Sequence, residues 1–199
     1  MVQIFNSTAD KMAGDEQEIM YIFAAALADL RDEAREYDER WDQIAMRGGY
    51  DASTIESEQD IRERIEMLHA CVAASEAIYT AYANVMDDVI WRIDSSQLPP
   101  NVKHNVRNEA SRDASRYKAA AAGFAIDRDC AARIVDLLEL LASHWGEWHY
   151  DQEAAALVFD ALSVKDELWD INDDIDRLLQ SRDASDREKL SKPIGGGTP

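Results

Sequence analysis

Glu66-Met67-Leu68-His69 sets a carboxylate and an imidazole one helical turn apart, the ExxH spacing with which some helical bundles hold paired iron ions. A complete site of that kind needs a second ExxH and two further glutamates on other helices, yet no histidine follows His149. Leu68 takes the inward position, which turns Glu66 and His69 toward the flanks. Asp170-Ile171-Asn172-Asp173-Asp174-Ile175-Asp176 opens like a calcium loop. Ile175 stands where that loop needs glycine, however, and Ser181 where it needs a bidentate glutamate. A solvated helix face explains the run better. His144-Trp145-Gly146-Glu147-Trp148-His149-Tyr150 crowds aromatic and imidazole groups into one turn. Trp145 and Trp148 there are read as plugging the end of a core, with recognition of a partner as the alternative. His144, His149 and Glu147 could ligate a metal, but no spacing singles one out. There is no GxSxG, no glycine-rich phosphate loop and no Cys with an evident His partner. Cys71 and Cys130 are far apart and lack a CxxC, as expected of buried free thiols. No catalytic, cofactor-binding or metal-binding residue is assigned, and the chain reads as non-enzymatic.

The elements around these groups follow from apolar spacing. Ile61, Ile65, Leu68, Val72, Ser75, Tyr79, Tyr82, Met86, Val89 and Ile93 alternate steps of four and three without an intervening Gly or Pro, predicting a helix over the whole stretch. A first helix is predicted from about Asp15 to Arg47, closed by Gly48-Gly49. Ser57 is placed to cap the second. Pro99-Pro100 turns the chain into a third helical region, about Asn101 to Trp148, in which Gly123 could make a break. A fourth helix is predicted from about Asp151 to Gln180, with Ala154, Leu157, Ala161, Val164, Leu168, Ile171, Ile175 and Leu178 on its seam. The fold class is thus all-α: an elongated antiparallel bundle of four helices, or of five if Gly123 breaks the third, with coiled-coil-like heptad packing. Residues 1–14 are read as an N-terminal arm, 15–180 as the bundle domain and 181–199 as a flexible polar tail. Turn centres near residues 52, 98 and 150 would set Leu30 beside Ala74, Tyr79 beside Tyr117 and Leu168 beside Ala132. Four helices then run at one end and three at the other, unless residues 1–14 fill the gap.

Charge narrows the function. Forty acidic residues against 21 basic ones give a net charge of -19, which repels nucleic-acid phosphates and anionic lipid heads and favours basic proteins. The beginning of the chain lacks a secretory pattern and no apolar run is long enough for a membrane span, so a cytoplasmic location is expected. Residues 101–122 invert the trend, with Lys103, Arg107, Arg112, Arg116 and Lys118 against Glu109 and Asp113. Residues 151–180 carry nine acidic side chains and two basic. The candidate partner-binding residues are accordingly Lys103, Arg107, Arg112 and Arg116, the acids Glu167, Asp170, Asp173 and Asp174, and the aromatics Trp145 and Trp148. The expected activity is binding of a basic or nucleic-acid-binding protein, inhibiting or sequestering it, with mimicry of nucleic acid as a specific version. A self-associating assembly protein is one alternative, a ferritin-like carboxylate-metal enzyme another.

Overall fold

The computed structural model describes residues 13–160 and 162–191, with backbone alone at 162–163 and 185–191. The first twelve residues of the expected arm, seam residue Ala161 and the last eight of the expected tail lie outside it.

Helix α1 spans Asp15–Met46 and begins with Asp15, Glu16 and Glu18, negative charges that suit a helix N-terminus. Its end is a glycine cap: Gly48 N–H donates to Ala45 O (3.0 Å) and Gly49 N–H to Ile44 O (2.9 Å). Gly48 takes φ +87°, and a Cβ there would lie 2.5 Å from Thr54 Oγ1. A short 3-10 turn, Ala52–Thr54, leads to α2, Glu58–Ser95, whose first turn is capped by Ser57 Oγ accepting from Asp60 N–H at 3.1 Å. Pro100 opens α3 at the first helical position, where a missing N–H costs nothing. That helix runs unbroken through Gly123 to Ser143.

The structure then departs from the expected start of the fourth helix at about Asp151. Where the sequence reading starts a fourth helix, strands β1 (Trp148–Asp151) and β2 (Ala156–Phe159) pair antiparallel, Trp148 opposite Phe159 and Asp151 opposite Ala156. The aromatic and β-branched residues of Trp148-His149-Tyr150 and Leu157-Val158-Phe159 suit a pleated surface. Asp151 Oδ1 accepts from Glu153 N–H (2.9 Å) and Ala154 N–H (3.1 Å), which turns the chain between the strands. Helix α4 follows from Leu162 to Ser191, through the first part of the stretch read as tail. The protein is therefore mainly helical, with four long helices and one small hairpin among the described residues.

The chain divides into two compact units, Met1–Glu36 with Ala77–Ala122 and Tyr37–Glu76 with Gly123–Pro199. Within the first, α1 and α2 run antiparallel, Gln97 N–H donating to Glu18 (3.1 Å) while Arg92 pairs with Asp29 (3.0 Å). Helices α2 and α3 do the same, through Asp94–Arg107 and Asp87–Lys118. Tyr117 meets Tyr82, ring centroids 6.4 Å apart, one turn from the expected Tyr79. Asp29 against Arg92 is likewise a register well removed from the Leu30–Ala74 level. Ile78, Val85, Val89 and Ile93 are buried here among Leu30, Val106 and several alanines.

In the second unit α3 and α4 are antiparallel, Asp127 with Arg182 (2.8 Å) and Arg133 with Asp174. This register differs from Leu168 beside Ala132 because the hairpin consumes residues assigned to the helix. Its core gathers Leu68, Cys71, Ile134, Leu138, Leu141, Phe159, Leu168 and Ile171. The buried positions of α2 in this unit, Ile61, Arg64, Leu68, Cys71, Ala74 and Ser75, continue into the first unit at Ile78. The seam thus runs through Arg64, Cys71 and Ile78 where the sequence reading prefers Ile65, Val72 and Tyr79, which are half-buried.

Candidate partner-binding surface

Of the basic residues on α3, most are committed inside the first unit. Lys103 Nζ donates to Asp94 O (2.9 Å) and Ser96 O (2.7 Å), closing the C-terminus of α2, where a cation also complements the helix dipole. Arg107 pairs with Asp94, and Lys118 stands 3.7 Å from Asp87. Arg112 and Arg116 are exposed and make no ion pair among the described residues.

The acidic run lies on α4 in the second unit. Asp174 is neutralised: Arg133 and Arg177 both reach it, and the Arg133 hydrogen bond leads in holding its carboxyl below the usual range. Glu167 and Asp170 are exposed and line a groove of about 680 Å³ that Asp136 and Glu139 of α3 face from the other side. Asp173 is exposed, as are Asp166 and Asp176, and none of these five has an ion-pair partner among the described residues. Trp169 sits in their midst, 69% exposed. The sequence reading passes over it although the phase was available: with Leu168 on the seam, the next residue points about 100° away. Trp91, 66% exposed on α2 between Val89 and Ile93, follows the same rule.

The aromatic turn is built on the hairpin. Trp148 Nε1 donates to Leu141 O (2.9 Å), fixing its indole, and Trp145 stands nearly perpendicular to it, centroids 5.5 Å apart at 81°. Trp148 packs on the core, but Trp145 is 41% exposed, so only one of the two acts as a plug. Both line a cavity of about 360 Å³ with Ser53, Ile55, Tyr150 and Gln152. Next to it, His144 Nδ1 lies 2.8 Å from a Glu147 oxygen.

Glu66 and His69 are exposed on α2, and Asp170–Asp176 is helix throughout. Among the described residues no three His, Cys, Asp or Glu side chains converge as a metal site would require, and no helix is long and apolar enough to cross a membrane. The chain matches no family model, no curated protein and no solved structure.

Proposed function

We propose that this chain is a non-enzymatic binding protein whose α4 takes a basic protein partner and, by covering the partner's cationic surface, inhibits or sequesters it. The observation that carries the reading is the exposed indole of Trp169 set among uncompensated carboxylates at Asp166, Asp170 and Asp173. An arginine side chain can stack on such an indole while its fork meets the acids, a pairing strong enough to anchor an interface. Residues four apart on a helix repeat at about 6 Å, close to the spacing of phosphates along a strand, so a nucleic-acid-binding protein suits the role. The scaffold belonging to this reading is an antiparallel helical bundle with heptad packing.

The test is affinity capture with wild type and with a variant combining Trp169→Ala, Asp166→Asn, Asp170→Asn and Asp173→Asn, partners being identified by mass spectrometry. Basic proteins should be retained by wild type, released as salt rises, and bound about tenfold or more weakly by the variant. Partners that are acidic, or that the variant holds equally well, would overturn the reading.

Arg112 and Arg116 favour a second reading, association of two copies through these cations and the acidic faces. Light scattering at low and high salt decides it: a monomer at every concentration removes this reading.

A further inference from the structure

The cavity beside the hairpin has properties that the α4 face lacks. Two indoles at 81° form adjacent walls, and Tyr150, two residues beyond Trp148 on the same half-buried side of β1, adds a third ring. Ile55 supplies an apolar wall from the 3-10 turn side. Aromatic faces carry negative quadrupole charge and attract cations.

The surrounding charge has the same sign. Residues 48–57 contribute Asp51 and Glu56, residues 144–160 contribute Glu147, Asp151, Glu153 and Asp160, and neither stretch contains Lys or Arg. The cation that does reach this loop, Arg64, is buried and paired with Asp60 at 2.9 Å.

Hydrogen bonding selects among cations. An ammonium brings three donors and a guanidinium five, each needing an acceptor once water is lost. The cavity offers Ser53, Gln152 and His149, and no carboxylate lines it. A quaternary ammonium has no donor to satisfy and needs only ring faces and a negative field.

We infer that the cavity formed by Trp145, Trp148, Tyr150 and Ile55 is a binding site for a trimethylammonium group. A volume of about 360 Å³ accommodates such a group with part of the chain that bears it. The site is independent of the α4 reading, shares no residue with it, and either can fail alone.

The experiment is titration of the full chain, followed by calorimetry and tryptophan fluorescence, with two sources of the group: choline and a short peptide containing trimethyl-lysine. Controls are 3,3-dimethylbutan-1-ol, the neutral shape equivalent of choline, and the same peptide unmethylated. Saturable binding of at least one trimethylammonium ligand is expected, with both controls about tenfold or more weaker. The tighter of the two ligands identifies the source. Trp145→Ala should weaken binding about tenfold, Trp145→Phe should retain most of it, and Trp91→Ala, at an exposed indole on α2 outside the cavity, should leave it unchanged. No saturation by either ligand up to about 10 mM, equal binding of the neutral alcohol to wild type, or indifference to loss of the Trp145 ring would overturn the inference.

Discussion

Arg64 is 2% exposed; its charge is answered by Asp60 one turn earlier on its own helix, and its remaining donors by neutral acceptors of the loop before it. Its guanidinium donates to Gly49 O (3.2 Å), Thr54 Oγ1 (3.0 Å), Thr54 O (2.9 Å) and Asp60 Oδ2 (2.9 Å), while Nε finds no acceptor. Truncation would leave Asp60 and several carbonyls without their donor. Arg64→Ala should therefore cost about 3–5 kcal/mol in urea unfolding, and a loss under about 1 kcal/mol would contradict this account. The two thiols give a pH signature. Burial pushes Cys71 and Cys130 up to about 11 from 9.0. A thiol kept protonated by the fold contributes fully below the unfolded value and loses that contribution as pH climbs through the folded one. Stability should thus decline between about pH 9 and 11, by about 2–3 kcal/mol per thiol, with a shallower decline in Cys71→Ala/Cys130→Ala measured over the same range. Sequence spacing identifies the buried side of α2 to within one residue, and the miss has a cause. Ile65 is the more apolar choice beside Arg64, and no composition rule anticipates an arginine enclosed by carbonyls that arrive from a loop.

At the scale of elements, caps and breaks are legible because they rest on local chemistry: Gly48-Gly49, Ser57 and Pro100 each act where the sequence reading puts them. The hairpin is not. Ala154-Ala155-Ala156 is a strong helix former and Leu157 falls on the seam of Leu168 and Ile171, so local propensity and period both point the wrong way. The pairing of Trp148 with Phe159 over the core is a non-local gain that the spacing hides. The conflict leaves a mark at Ala155, whose φ of 49° is a left-handed value that an alanine adopts at a cost. Ala155→Gly should accordingly stabilise the protein by about 0.5–1 kcal/mol, seen as a raised thermal midpoint with an unchanged helix signal. A lowered midpoint would mean that the turn is held by something other than backbone preference.

For the whole molecule, composition is a dependable guide to a folded, acidic, helical protein; among the described residues one unit holds three helical segments and the other four. The difference should register in native-state hydrogen exchange. Ile78–Ile93 is buried among many alanines, whereas Ile134–Leu141 sits among leucines, isoleucines and Phe159. Amides of the former should open at a free energy lower by about 1 kcal/mol or more. Equal protection would indicate a single cooperative block. The division into units was out of reach of sequence reading, since α1, α2 and α3 each run through it without a break.

The guanidinium beneath residues 49–54 has one more effect. Ser53 and Ile55, which wall the aromatic cavity, are held in place by a charge that never touches its interior. A genetic screen for ligand loss would therefore score Arg64 beside Trp145. Only a folding assay run in parallel would tell the foundation from the doorway.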